Sequence, residues 1–238
     1  MNESLYFRQL LAGRDFAVGD AVALSMRNFT YALGDRRSGE AVLVDPAYRP
    51  KELVDILEDD GMRLVGIVAT HYHPDHVGGT LIGQQHISGV LELHEMTGVP
   101  VHVNVNEVSW IVQRTGIGED ALVVHEDHDR LLVGTIEITT LHTPGHTPGS
   151  QCLLVDGCLL SGDTLFVDGC GRTDFPGGDT RELFVTLSER LSDVSDDTVL
   201  YPGHLYSPES FLTLGEVRRR NPVLSVTSLE QWLAMFAT

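Results

Sequence analysis

An apolar run, Leu64-Val65-Gly66-Ile67-Val68-Ala69, leads directly into Thr70-His71-Tyr72-His73-Pro74-Asp75-His76. Few junctions restrict a chain as tightly. The run is short and rich in β-branched residues, which marks a buried strand. Three histidines and an aspartate then fall within six positions, and neutral imidazole and carboxylate are the side chains that hold zinc or iron. The cluster therefore stands at the carboxyl end of a strand, where α/β folds place their chemistry. His71 and His73 are two apart, so in extended backbone they point to one side. Pro74 helps to fix the turn that carries Asp75 and His76.

Three later segments share this character. Thr143-Pro144-Gly145-His146-Thr147-Pro148-Gly149-Ser150 places a histidine in a rigid turn between strands. Ser161-Gly162-Asp163-Thr164 places an aspartate directly after a strand over 158–160, and Tyr201-Pro202-Gly203-His204 places a histidine after one over 198–200. All lie beside glycine or proline at strand ends, where backbone can come close to a bound ion.

Between these motifs, strands are expected over 29–33, 41–44, 99–103, 121–124, 131–133, 135–141 and 151–155. Helices are expected over 50–60, 85–97, 107–114, 180–191, 208–219 and 228–236. No Pro/Ser-rich linker, low-complexity tract or repeat interrupts them, so residues 1–238 are read as a single domain, with helices outside two sheets. The 34 acidic residues against 16 basic ones give a formal charge of −18, which repels phosphate backbones and anionic membranes. Neither nucleic acid nor membrane is an expected partner. The amino terminus lacks a basic-then-apolar leader. Cys152, Cys158 and Cys170 are too few for a disulfide framework, and a reducing cytoplasm is the expected location.

In this order, the four motifs resemble the metallo-β-lactamase-fold superfamily and, within it, the glyoxalase II-like (hydroxyacylglutathione hydrolase-like) branch. The resemblance runs from about Asn28 to about Tyr206. It implies an αββα sandwich of two mixed sheets with helices on both outer faces. It assigns His71, His73 and His146 to one metal and Asp75, His76 and His204 to a second, with Asp163 bridging. Two zinc ions are the expected cofactors, although the same donors accept iron or manganese. Two ions roughly 3.5–4 Å apart share a hydroxide that is nucleophilic at neutral pH, and Asp75 is placed to shuttle its proton. No Gly-x-Ser-x-Gly turn offers a serine nucleophile.

Gly169-Cys170-Gly171-Arg172-Thr173-Asp174-Phe175 looks like the loop after the bridging aspartate in glyoxalase II-like thioesterases and in persulfide dioxygenases. The resemblance gives Arg172 and Tyr206 to the thiol carrier of the substrate; the competing role for Arg172 is an ion pair with Asp174 or Asp179. The chain departs from glyoxalase II in three places. Asp174 replaces an aromatic residue, only 34 residues follow His204 in a chain of 238, and the segment 80–89 is longer than expected and is a candidate lid. The expected activity is hydrolysis of a small-thiol thioester. A mononuclear iron persulfide dioxygenase, using His71, His146 and Asp163, is the alternative, and a lactonase is a weaker one. No cysteine stands at the second site, which disfavours β-lactam hydrolysis. The expected partner is a small-molecule substrate, with a homo-oligomer allowed.

Overall fold

The computed structural model describes residues 3–80 and 85–236. Its strands are β1 (Leu5–Leu11), β2 (Phe29–Asp35), β3 (Glu40–Val44), β4 (Arg63–Val68), β5 (Gly79–Thr80), β6 (His86–Ile87), β7 (Val101–Asn104), β8 (Leu122–His125), β9 (Arg130–Val133), β10 (Ile136–His142), β11 (Gln151–Val155), β12 (Cys158–Gly162), β13 (Val199–Pro202) and β14 (Leu212–Thr213). The helices are α1 (Ala21–Met26), α2 (Pro50–Asp59), α3 (Pro74–Val77), α4 (Val90–Thr97), α5 (Val108–Thr115), α6 (Thr180–Val185), α7 (Leu214–Arg220) and α8 (Leu229–Met235). One sheet runs β1-β2-β3-β4-β7-β8 and the other β14-β13-β12-β11-β10-β9.

Period-two side-chain alternation builds the layers. In β3, Val42 and Val44 face the other sheet and share a core with Leu153 and Leu160. Ala41 and Leu43 turn outward onto a core with Leu53 of α2, Leu93 of α4 and Ile111 of α5. In β12, Leu159 likewise faces outward to Leu183 of α6, Val217 of α7 and Trp232 of α8. These three apolar layers make the expected αββα sandwich. No helix among the described residues is long and apolar enough to cross a membrane.

The strands nearest the motifs run parallel: β3, β4 and β7 in one sheet, and β12 with β13 in the other. Their carboxyl ends therefore lie along one rim of the sandwich. The β10–β11 hairpin delivers the 143–150 turn to that same rim. Parallel pairing thus converts distant motifs into neighbours.

Some local expectations change. The helix expected over 85–97 begins at Val90, because Gly89 packs against the Val77 carbonyl and its N–H donates to Glu92 Oε2 at 2.7 Å. His86–Ile87 instead pairs with β5. The helix expected over 208–219 opens as an edge strand, β14, before α7. Within the candidate lid, residues 81–84 lie outside the described residues.

Candidate metal centre

Tight turns after β4 and before α3 bring four of the predicted ligands together. His71 lies on the loop, His73 caps α3, and Asp75 and His76 sit within it, all four within the buried rim or nearly so. His146 enters from the β10–β11 turn, Asp163 follows β12 and His204 follows β13. The structure brings all seven predicted ligand residues into one cluster. The donor atoms of His71, His73 and His146 lie within 4.8 Å of one another, as do those of Asp75, His76 and His204. Asp163 stands between the two sets: Oδ2 is 3.7 Å from His146 Nε2 and 3.3 Å from His204 Nε2, and Oδ1 is 3.4 Å from His76 Nε2.

The outer ring nitrogens are committed to protein groups. His146 Nδ1 donates to the Arg172 carbonyl at 2.6 Å and His204 Nδ1 to the Met26 carbonyl at 2.8 Å. Thr70 Oγ1 donates to Asp45 Oδ2 at 2.6 Å, so it accepts from His71 Nδ1 at 3.0 Å. Each bond fixes a tautomer whose Nε2 lone pair faces inward, the usual device for orienting a metal-binding imidazole. Two inward atoms, His71 Nε2 and Asp163 Oδ1, are buried with no hydrogen-bond partner. Buried polar atoms seldom stay unpaired, and an imidazole lone pair beside a carboxylate oxygen is a cation's coordination set. The His/Asp cluster is thus a metal-binding site by its own chemistry.

Its electrostatics divide the histidines. Burial, reinforced by the charges of neighbouring rings, holds His71 well below the ordinary histidine value and lowers His73 to about 3. Burial also lowers His146. These three rings are neutral, as ligands must be. At His76 burial pulls the same way, but Asp163, Asp75 and Asp45 override it and push the ring up to about 10. Burial would raise Asp163, yet the His204 and His76 charges hold its carboxyl well below the usual range.

Comparison with known proteins fits this arrangement. A sequence model of the Metallo-beta-lactamase superfamily matches residues 28–204. The chain belongs to the metallo-beta-lactamase superfamily. Among its similar members is the mitochondrial persulfide dioxygenase ETHE1 of Homo sapiens, 32% identical over 206 residues, covering 85% of this chain and 73% of that protein. A hydroxyacylglutathione hydrolase of a Polaromonas species is 33% identical over 184 residues, covering 76% and 63%. In fold, the crystal structure of ETHE1 from Myxococcus xanthus has a TM-score of 0.80 and 28% identity, covering 98% of this chain and 90% of that one.

Three residues of this superfamily member escaped the sequence reading. Asp45, after β3, bonds Thr70 through both carboxylate oxygens and His76 Nδ1 at 2.8 Å. Asn28 Nδ2 donates to Asp75 Oδ2 at 3.0 Å, and its Oδ1 accepts from Tyr48 OH at 2.7 Å, which fixes the amide's orientation. Glu107, after β7, accepts from Tyr72 N at 3.3 Å and from Thr147 Oγ1, and so ties the first ligand loop to the His146 turn. The only sequence signal for Asp45 was its place at a strand end; Asn28 and Glu107 carried none. His142 braces the His146 turn through the Pro148 carbonyl at 2.9 Å and touches no ligand.

Glu107 makes a pH prediction. Burial pushes its carboxyl up to about 7. A folded-state value above the unfolded one means that the native state binds the extra proton. Stability therefore falls as pH rises from the ordinary glutamate range through about 7, then levels. Glu107→Gln keeps the shape without the charge, so its Tm relative to the parent should rise by several degrees between pH 5 and 8. Parallel melting curves across that range would refute this.

Beside the cluster opens a cavity of about 710 Å³, lined by aromatic groups including Tyr72, Phe166 and Phe175. Arg172 and Tyr206 both line it. The Arg172 fork, however, is taken by Asp174 through bonds of 2.9 and 2.5 Å, the competing role anticipated above. Tyr206 is half exposed and stacks flat on His204 at 4.5 Å.

Proposed function

We propose that the chain is a persulfide dioxygenase that holds one iron on His71, His146 and Asp163. The observation that carries this reading is the location of the unmet atoms. His71 Nε2 and Asp163 Oδ1 lack partners and His146 Nε2 meets only the His73 ring, at 3.0 Å, whereas in the second set the Asn28 amide contacts the carboxylate and both rings. His76 Nε2 lies 3.2 Å from both His204 Nε2 and Asn28 Nδ2, and Asp75 accepts from Asn28. Two imidazoles and one carboxylate with open positions suit non-haem ferrous iron. The 32% identity to the human persulfide dioxygenase supports the same reading.

When bound, iron supplies the redox chemistry that lets O₂ react with a persulfide's terminal sulfur. The chain's own residues prepare the place. Thr70 and the Arg172 carbonyl hold the His71 and His146 rings, so that their free lone pairs converge without reorganisation. Tyr72, Phe166 and Phe175 present apolar walls that exclude water from the reacting sulfur. His73 Nδ1 stands 3.0 Å from His146 Nε2, and its ring lines the cavity beside the proposed iron ligands.

The test joins elemental analysis of protein purified without added metal to oxygen uptake with glutathione persulfide. We expect one iron per chain and O₂ consumption that yields sulfite. Two zinc ions per chain with no oxygen uptake would overturn the proposal. A second reading, thioester hydrolysis of the glyoxalase II type, is favoured by the convergence of Asp75, His76 and His204 within 4.8 Å. Metal-dependent thiol release from S-lactoylglutathione would support it.

A further inference from the structure

We infer that Arg114 is a further substrate-binding residue that anchors a carboxylate of the thiol carrier. The inference rests on a thiol-borne substrate reacting at the metal centre.

Two arginines line the cavity, Arg172 and Arg114. Arg172 is neutralised by Asp174. Arg114, on the last turn of α5, has no acid partner among the described residues, and its buried Nε–H meets no acceptor. The guanidinium is nevertheless held in place. Its centre lies 5.6 Å from the Tyr72 ring centroid, and Nη1 donates to the Thr80 carbonyl at 3.2 Å. Its aliphatic stem packs on Gly79, where a Cβ would come within 3.1 Å of Cγ and Cδ.

The platform beneath is rigid. Tyr72 stacks on Trp110 at 5.0 Å, and its hydroxyl donates to the Pro176 carbonyl at 2.7 Å. A guanidinium already fixed in position loses little entropy when a ligand arrives. One backbone carbonyl does not offset a half-desolvated cation, whereas a carboxylate supplies both charge and a matching pair of acceptors.

Charge elsewhere in the cavity favours this orientation. The metal cluster contributes Asp75 and Asp163 to the lining, which also holds Asp168, already paired with Arg220. Asp168 and Arg172 are both spent in ion pairs and the cluster acids serve the metal, which leaves Arg114 as the cation that draws a substrate carboxylate. Met26, Phe166 and Phe175 also line the cavity and offer apolar contacts to the uncharged part of the carrier, with the sulfur at the metal cluster.

The experiment measures calorimetric binding of S-methylglutathione and of its dimethyl ester to the metal-loaded protein. Binding needs no turnover, so this result stands apart from the dioxygenase reading, which the wild-type protein's oxygen uptake tests separately. The parent should bind the acid at least about tenfold more tightly than the ester. Arg114→Gln should weaken the acid by about 10–100-fold and leave the ester within about twofold, with Arg114→Lys between. Melting curves for both variants identify any misfolded protein, and Arg114→Lys carries the test if Arg114→Gln fails to fold. In oxygen uptake with glutathione persulfide, KM should rise in Arg114→Gln while kcat stays within about threefold. Equal binding of acid and ester by the parent, equal losses for both in Arg114→Gln, or no binding of either would overturn the inference.

Discussion

Asp163→Ala should leave a folded protein that no longer retains metal, with activity down by at least about 10³-fold. The carboxylate lies at the centre of the cluster, within 3.3 to 3.7 Å of His204, His76 and His146. Its Oδ1 is one of the two unmet inward atoms. Without it the proposed iron site keeps the His71 and His146 rings but loses its one carboxylate, whose charge draws a divalent cation into a buried place. The fold should persist, because the three apolar cores lie away from the rim. The decisive reading is a pair of melting curves with and without added ferrous ion. A ligand that binds only the native state raises Tm, so the parent should shift and the variant should not. An equal shift in both would show that Asp163 is not a ligand.

Gly171→Ala is expected to do nearly as much damage from a position that touches no metal. A Cβ at Gly171 would run into the Asp163 carbonyl oxygen and stand 2.8 Å from His146 Nδ1 and 2.9 Å from its Cγ. One methyl group therefore presses on two of the three proposed iron ligands, and on the bond from His146 Nδ1 to the Arg172 carbonyl. Displaced supports of metal ligands typically cost 10–100-fold in metal affinity, and we expect a loss in that range. Gly203→Ala is a second instance: its Cβ would run into Asp163 Oδ1 and lie 2.9 Å from the Gly162 carbonyl carbon. Metal titration of both variants checks the point, and parent-like affinity in both would refute the glycine cradle.

How much of the site was legible depended on distance along the chain. His71, His73, Asp75 and His76 were readable because their spacing is local and follows a strand visible in its own residues. His146, Asp163 and His204 were readable because each sits in a glycine- or proline-bounded turn at a strand end. Asp45, Asn28 and Glu107 had no such context, being single polar residues that serve through parallel pairing of β3, β4 and β7 or through the return of β13 past Asn28. Arg172 was found for its motif, yet Asp174 two positions on occupies its fork. Arg114 sat unmarked in a helical pattern and gained its meaning only from Tyr72 and Thr80, which are remote in sequence.

The sequence by itself determined the superfamily, the sandwich and the seven-residue His/Asp inventory, because strand periodicity and turn-bound ligands are encoded over a few residues. The tertiary structure decided which atoms of that inventory stay unmet and which acids support the rings. It also decided which arginine of the cavity keeps its charge uncompensated. Those outcomes depend on hydrogen bonds and ion pairs between segments tens of residues apart. Pairing of that kind exists only after the two sheets have packed and their strand ends share one rim.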